Sequence, residues 1–414
     1  MRKILLIGPF FLYGCTLFPN RMSPKTAPAE PVSQAPAAPV EPPIALVPPE
    51  LWPRITDDLP VESLERAAQA DISYLRRSPE KLYKFGDLEV GSQGLIDTAE
   101  ELVRIRKESS GPEELAARLK AGFDLYRVGP ATGALFSSYY SPTLEASKTP
   151  TDGFKYPLFR KPTDMIEVDL SSFSAKWKGE HLIGRLDANG RFVPYFDRLD
   201  IDVREALKDR GLEFAWLKSS FDRLDLHIEG SGVLRFTDGE EALARFAATN
   251  ARPYKSVGLS LAGSGAVTRE ELTAQTLKRY LEEHPEGEAW IISQNPRYTF
   301  FELAPIPPGG EPFGTINEPL TAGRSFAVDT AIVPLGMPAY AEFPMIQADS
   351  SGGTLGKAVT RRFAFCQDTG GAIKGAGRID VYVGHGPEAK SAASRVWDKG
   401  SLYILLKKLP PRQR

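Results

Sequence analysis

Residues 367–384 read QDTGGAIKGAGRIDVYVG, a glycine-rich turn followed by the alternating pattern of a β-strand. Glycine permits the tight turns and close backbone approach that such a loop needs before a strand begins. Successive side chains of a strand point to opposite faces. The apolar residues of this strand therefore share one face, which we expect to lie on a core. The opposite face carries a cation, an acid and an aromatic ring and is expected to point outward: Arg378, Asp380 and Tyr382.

Two interpretations of Asp380 follow from this pattern alone. In the first, Asp380 is a solvated strand residue that pairs with Arg378. In the second, it is a cleft carboxylic acid beside an aromatic ring that excludes water, which raises its pKa until it can donate a proton near neutral pH. Asp368, at the start of the turn, is expected to accept backbone N–H groups of that turn. The sequence contains no serine-hydrolase elbow, zinc-protease motif or phosphate-binding loop, so carboxylate chemistry remains.

The pattern outside this stretch predicts a mainly β protein with a helical N-terminal segment. Apolar residues spaced by three and four predict helices within residues 61–75 and 95–105, and Gly111-Pro112 opens another. From residue 133 onward, short β-like runs alternate with turn residues, and 224–228 (LDLHI) is one such predicted strand. One helix interrupts this part, and we expect it to begin at the capping box formed by Thr268 and Glu271.

Composition excludes several classes of protein. The chain has 414 residues with 51 Lys and Arg against 53 Asp and Glu, a formal net charge of −2. Such a balance gives no basic field for sequence-independent nucleic-acid binding. Two cysteines and four scattered histidines match neither a disulfide framework nor a metal-ligand spacing. We therefore predict no nucleic-acid partner, no metal and no cofactor.

The N-terminus predicts export. A short basic start precedes an apolar run that is too short to span a bilayer, which is typical of a signal peptide over residues 1–15. Residues 12–15 (LYGC) resemble a lipoprotein lipobox, which implies that Cys15 carries lipid and holds the chain to the periplasmic side of the outer membrane. The alternative is a signal peptide without lipidation. Residues 16–50 are rich in proline and alanine and are predicted to form a tether.

Nine segments of the body occur in the order typical of one bacterial family. The segments are 135–142 (LFSSYYSP), 184–185 (GR), 194–198 (PYFDR), 230–232 (GSG) with 238–239 (DG), 253–258 (PYKSVG), 295–301 (NPRYTFF), 319–329 (PLTAGRSFAVD), 332–336 (IVPLG) and 368–380. On these segments, the chain from residue 133 to 406 resembles the lytic murein transglycosylase A (MltA) family, whose members cleave peptidoglycan. The resemblance makes Asp380 the favoured catalytic residue, because it matches the family's essential aspartate.

The resemblance also implies an architecture. A double-psi β-barrel catalytic domain would comprise residues 51–141 and 305–414, with a second β-barrel domain inserted at 142–304. The substrate groove would lie between the two domains. The substrate-binding residues implied are Ser137, Tyr139, Tyr140, Tyr254, Asp368 and Arg378, and for the three tyrosines a role as core aromatics is an equal alternative.

Three segments depart from the family pattern. Ser137-Ser138 replaces Thr-Gly, Glu229 replaces the glutamine before Gly-Ser-Gly, and Ala251 replaces the glycine of an Asn-Gly turn. We expect these changes to affect contacts with substrate rather than the class of reaction.

The implied reaction is cleavage of the β-1,4 bond between N-acetylmuramic acid (MurNAc) and N-acetylglucosamine (GlcNAc), leaving a 1,6-anhydro-MurNAc end. A single carboxyl group, Asp380, would serve as acid and then as base. One alternative is a glycoside hydrolase, with Asp368 or Asp329 as the second carboxylate. The other is a cell-wall-binding protein without catalysis. The expected partners are peptidoglycan strands and the membrane, while the sequence identifies no partner in a wall-synthesis complex.

Overall fold

The computed structural model describes residues 42–177, 180–349, 351, 353–393 and 397–408. The predicted signal peptide, the lipidation site Cys15 and residues 16–41 of the predicted tether lie outside these ranges. Of the helices that are described, none combines the length and the apolar character needed to cross a membrane.

Three helices open the body, as the spacing of apolar residues predicts. Leu64, Ala68 and Leu75 of the first helix are buried, and the second helix packs against it through Leu95 and Leu102. The helices within the described residues are α1 (Val61–Arg76), α2 (Ser92–Glu108), α3 (Pro112–Gly122), α4 (Arg198–Asp202), α5 (Ser220–Glu229), α6 (Val257–Gly263), α7 (Ala274–Glu283), α8 (Glu288–Ile292) and α9 (Gly386–Ala393).

The strands fall into two large sheets, one three-stranded sheet and a hairpin. They are β1 (Ile44–Val47), β2 (Leu82–Phe85), β3 (Leu88–Gly91), β4 (Phe123–Val128), β5 (Ala134–Ser141), β6 (Thr143–Ser147), β7 (Tyr156–Phe159), β8 (Ile166–Asp169), β9 (His181–Leu186), β10 (Phe192–Pro194), β11 (Glu213–Leu217), β12 (Gly232–Phe236), β13 (Glu241–Thr249), β14 (Thr299–Ala304), β15 (Ser325–Ala327), β16 (Pro338–Ala348), β17 (Thr354–Asp368), β18 (Arg378–His385) and β19 (Trp397–Lys407).

The first large sheet closes on itself. Its strand order is β19-β16-β17-β15-β18-β5, and β5 pairs again with β19, so six strands form a closed ring that we call the first barrel. Strands β4 and β1 continue this sheet outward from β19. The parallel pairing of β18 with β5 places Asp380 opposite Ser137. Phe136 fills the interior, where its ring stacks on Phe343 with 4.6 Å between ring centroids.

The second large sheet has the order β14-β13-β12-β6-β11-β7. Its edge strands β14 and β7 contact each other, so the sheet nearly closes into what we call the second barrel. The chain enters this barrel through Pro142, between β5 and β6, and leaves it after Ala304. A mainly β fold with two barrels and a helical N-terminal segment is thus confirmed.

Three local predictions are corrected by the structure. Ile44–Val47, which we assigned to the tether, pairs with β4 as strand β1. Residues 224–228, predicted as a strand, lie in helix α5, which Ser219 caps and Gly230 ends with a φ of 84°. The hydrogen bonds of the Thr268–Glu271 capping box are present, but helix α7 begins at Ala274, with Thr273 as its N-cap.

Candidate active site

A groove with a volume of about 470 Å³ lies between the two barrels. From the first barrel come Ser137, Ser138, Arg378, Asp380 and the glycine-rich loop at 369–373. The second barrel contributes residues on the opposite wall: His227, Glu229, Phe246, Tyr254, Asn295 and Arg297. Both walls carry polar side chains, which is typical of a site for a hydroxylated ligand.

Asp380 is a half-buried carboxyl group in this groove. The Ser137 hydroxyl donates a hydrogen bond to its Oδ1 at 2.5 Å. Burial raises the pKa of Asp380 to about 6, with a further upward contribution from Asp368, against the lowering effects of Ser137 and Arg378. Near neutral pH this group therefore exchanges readily between acid and carboxylate, which is the property of a general acid or base.

Arg378 and Tyr254 line opposite walls. The Arg378 Nη1 donates to the carbonyl of Ile379 at 2.9 Å, and burial lowers the pKa of the guanidinium while Asp380 raises it. The Tyr254 side chain is 38% exposed, so its ring is accessible from the groove. Binding of substrate by Ser137, Arg378 and Tyr254 remains a prediction that their positions in the groove permit.

Asp368 lies behind the groove rather than in its wall. Its Oδ1 accepts hydrogen bonds from the Thr315 backbone at 2.9 Å and hydroxyl at 2.7 Å, and its Oδ2 accepts one from the Tyr139 hydroxyl at 2.7 Å. Burial raises the pKa of Asp368. Asp368 and Tyr139 are thus hydrogen-bonded to each other, and their contact with substrate stays a prediction.

Two further aromatic residues, Tyr140 and Tyr382, are buried, which for Tyr140 agrees with the alternative role as a core aromatic. Tyr140 is 6% exposed and its hydroxyl donates to Asp225 at 2.6 Å, so its ring packs in the interior and is not available to stack on a sugar. Tyr382 is fully buried and its hydroxyl donates to Glu311, so the outward face of β18 is limited to Arg378 and Asp380. Both tyrosines are core aromatics.

Two charged residues of the groove were not predicted as site residues, although Glu229 was named as a departure that would affect contacts with substrate. Glu229 lines it and accepts a hydrogen bond from the Tyr140 backbone N–H at 3.1 Å. Burial, reinforced by Asp225, raises the pKa of Glu229 well above its ordinary value. Arg297 enters from the segment before β14. Each belongs to a segment quoted above or adjoins one, but only the approach of the barrels brings them together.

Asp329, the other carboxylate considered for hydrolysis, serves the glycine-rich loop. Its Oδ2 accepts a hydrogen bond from the Gly375 backbone N–H at 2.7 Å, and its Oδ1 accepts one from Ala331 at 3.1 Å. It does not line the groove. These bonds hold the loop that forms one wall beside Asp380.

Comparison with protein families matches two regions of the chain. Residues 135–302 match the MltA specific insert domain, and residues 324–406 match the 3D domain. The first match includes the whole of the second barrel. The second match includes Asp380 and most of the first barrel.

Individual proteins agree with this assignment. The membrane-bound lytic murein transglycosylase A of Escherichia coli K12 is 29% identical over 275 residues, which is 65% of each chain, and the Vibrio cholerae protein of that name is also 29% identical. The matched stretch thus spans less than two thirds of the length of these curated relatives.

Solved structures extend the similarity over most of the chain. The membrane-bound lytic murein transglycosylase from Agrobacterium tumefaciens superposes with a TM-score of 0.67 at 27% identity, over 88% of this chain and 97% of that one. Escherichia coli MltA with bound chitohexaose superposes with a TM-score of 0.63 at 24% identity over 89% and 95%, which shows the shared fold. The chain belongs to the MltA family.

Proposed function

We propose that the protein is a lytic transglycosylase that cleaves the β-1,4 bond between MurNAc and GlcNAc of peptidoglycan and leaves a 1,6-anhydro-MurNAc end. The observation that carries this proposal is the half-buried Asp380, which has a pKa raised to about 6 and stands in the groove between two barrels. The name lytic murein transglycosylase A borne by the relatives supports the substrate class. The chitohexaose bound to the E. coli protein supports an oligosaccharide as the class of ligand.

The first step is proton donation by Asp380. Ser137 occupies Oδ1 through its hydrogen bond, which leaves Oδ2 to hold the transferable proton. As the bond between C1 of MurNAc and the glycosidic oxygen breaks, this proton passes to the oxygen and GlcNAc departs with a hydroxyl group. C1 becomes oxocarbenium-like, and the new carboxylate of Asp380 stabilises the positive charge.

The second step returns the proton. The carboxylate of Asp380 accepts the proton of the sugar's own 6-hydroxyl while O6 forms a bond with C1. No water is consumed, and the enzyme ends in the protonated state in which it began. Because the nucleophile belongs to the same sugar, its effective concentration is about 10⁵ M or more when it is well oriented. A nucleophilic side chain is therefore unnecessary.

The other titratable groups are poorly suited to activate water, which disfavours the hydrolase alternative. A general base must be ionised and must reach the reacting atoms. Asp368 and Asp329 are outside the groove wall. Glu229 lines the groove, but burial raises its pKa well above the ordinary value and so disfavours the carboxylate form that a general base requires. Burial and the cations Arg198 and Arg223 lower the pKa of His227, so this ring is neutral and not an acid near pH 7.

The domain limits and the anchor belong to the same proposal. The catalytic domain would comprise residues 51–141 and 305–414, and residues 142–304 would form the inserted domain. Lipid on Cys15 would hold the chain to the periplasmic side of the outer membrane, which agrees with the name membrane-bound given to the relatives. A Cys15→Ser variant should move from the membrane fraction to the soluble periplasm, and retention in the outer membrane would contradict the lipid anchor.

Product analysis tests the reaction. The chain from residue 16 onward, as wild type and as Asp380→Ala, is incubated with purified peptidoglycan, and the fragments are identified by mass spectrometry. We expect anhydro-muropeptides from the wild type only. Reducing ends would establish a hydrolase instead. If neither protein releases fragments but both still sediment with the wall, the protein is a binding protein.

A further inference from the structure

Arg297 stands at a fixed place in the groove. Its backbone N–H donates to the side chain of Asn295 at 3.2 Å, and its carbonyl accepts from Nη2 of the buried Arg198 at 2.7 Å. The guanidinium extends from the second barrel to the glycine-rich loop of the first. A Cβ atom on Gly371 would lie 2.8 Å from Cζ and Nη1 of Arg297. The group thus lies against a loop position that only glycine leaves open.

This guanidinium has no anionic partner. Among the residues that the structure describes, no carboxylate forms an ion pair with Arg297, and none of its side-chain N–H groups has a hydrogen-bond acceptor. Burial lowers the pKa of Arg297, and no neighbouring carboxylate opposes that effect. Arg362, which is more deeply buried than Arg297, pairs with Asp58 at 2.7 Å. A desolvated, unpaired cation is costly, so an arginine left in this state in a binding groove points to an anionic ligand.

We propose that Arg297 binds a carboxylate of the substrate and so makes the groove selective for peptidoglycan over neutral β-1,4-linked glycans. The inference rests on the proposed function. Peptidoglycan offers this chemistry in two forms: the carboxylates of the stem peptide, or the lactyl carboxylate of MurNAc where the stem has been removed. The planar guanidinium matches a carboxylate through two parallel hydrogen bonds, which a lysine cannot reproduce.

The test is a binding measurement in the Asp380→Asn background, so that cleavage does not interfere. Two pairs of strand fragments are titrated by calorimetry: intact fragments, and fragments stripped of stems by an amidase. Each is compared with its own methylamide derivative, in which the carboxylates are neutral. Wild-type Arg297 should bind at least one anionic form about 10-fold or more tightly than its neutral form, as a charge-assisted contact permits. The pair that shows the preference identifies the carboxylate.

Four variants assign the preference to Arg297. Arg297→Gln should reduce the ratio of anionic to neutral affinity to about one while leaving binding of the neutral fragments unchanged, and Arg297→Lys should keep part of the ratio. Gly371→Ala should also reduce the ratio, because its Cβ displaces the guanidinium without removing the charge. Arg235→Gln removes an exposed cation that pairs with Glu241 and should keep the wild-type ratio.

The outcomes separate this proposal from the proposed reaction. An unchanged ratio in Arg297→Gln, or equal affinity of the wild type for anionic and neutral fragments in both pairs, would overturn the role of Arg297. Absence of anhydro products from the wild type, with the charge preference intact, would overturn the reaction alone. Melting temperatures of all variants show whether each protein is folded during the titrations.

Discussion

Two arginines in different regions of the molecule illustrate how the protein treats buried charge. Arg324, beneath the first barrel, is fully buried and bonds both oxygens of Asp57 at 2.7 and 3.1 Å. It also donates to Ser63 at 2.9 Å and to the carbonyl of Phe363 at 2.7 Å. Arg297, in the groove, has none of these partners. A guanidinium with all its donors satisfied holds structure together, whereas an unpaired one is available to a ligand.

The carboxyl groups follow the same contrast. Asp57 is completely buried, accepts from Arg324 and also lies 3.0 Å from Arg106. Asp380 lies in the groove with a single hydroxyl on one oxygen, and burial raises its pKa to about 6. The well-bonded charge stabilises the fold, and the incompletely bonded one keeps a proton that it can transfer. Changes in the two regions should therefore have opposite effects on stability and activity.

Asp380→Asn should have the largest effect, and on activity alone. The amide is nearly the same size but neither donates nor accepts the transferred proton, and loss of a general acid costs about 10²- to 10⁴-fold in rate. We expect kcat to fall by an amount near the upper end of that range, because this one group serves both steps. The melting temperature should not fall, because removal of a desolvated carboxylate relieves a cost. Turbidity assays with peptidoglycan measure the rate, and a rate within 10-fold of wild type would contradict the assignment.

Arg324→Met should have the reverse effect, on stability alone. It leaves Asp57 buried with one cation fewer, which typically costs about 3–5 kcal/mol. Urea denaturation measures the free energy of unfolding, and Arg235→Met, at an exposed ion pair, serves as the control with a change near zero. A loss below about 1 kcal/mol would mean that the two regions do not differ in the way proposed.

The sequence predicted the elements that depend on local pattern. Helix α1 and the outward position of Asp380 follow from spacings of three, four and two residues, which are properties of the backbone. The five residues 224–228 alternate like a strand, but a window that short does not distinguish a strand from one side of a helix. Their capping residue Ser219 and the glycine at 230 were the signals that identify the helix.

The parts that depend on distant partners could not be predicted. Tyr140 faces inward because Asp225, 85 positions away, accepts its hydroxyl, and Tyr139 faces Asp368 across 229 positions. No local pattern contains those pairings. The same holds for Arg297 and Gly371, which belong to different barrels and come together only where the two barrels approach each other. Asp380 was accessible to sequence reasoning, and so was Tyr254 on the opposite wall of the groove, whereas Arg297 was not.

Asp71 is a third kind of carboxyl group: it is fully buried, and no cation among the described residues forms an ion pair with it. Burial raises its pKa from 3.8 to about 8, against one hydrogen bond from Gln367 at 3.2 Å. Since the folded-state pKa lies above the unfolded value, Asp71 costs no stability below about pH 4, and it lowers the free energy of unfolding progressively as pH rises from about 4 to about 8. Asp71→Asn mimics the protonated acid and should remove this slope, gaining on the order of 4 kcal/mol at pH 7. Urea denaturation at pH 5 and pH 8 checks the change, and an unchanged slope would contradict it.

Ser137→Ala should have the smallest effect, a shift in pH dependence. The hydroxyl of Ser137 donates to Oδ1 of Asp380 and so favours the carboxylate, which lowers the pKa of Asp380. Without that bond the pKa rises above about 6, and the protonated acid persists to higher pH. The alkaline limb of kcat/KM should therefore move upward by less than about one pH unit, since one hydrogen bond contributes about 1 kcal/mol.

The position of that limb distinguishes a tuning role of Ser137 from a role in binding substrate. Loss of a contact with the sugar would raise KM at every pH and leave the limb in place, whereas loss of the bond to Asp380 moves the limb itself. Ser110→Ala, in the turn before α3, serves as the control for a lost serine hydroxyl. A downward shift in Ser137→Ala would mean that the hydroxyl favours the protonated acid, and the direction of its hydrogen bond to Asp380 would then have to be reversed.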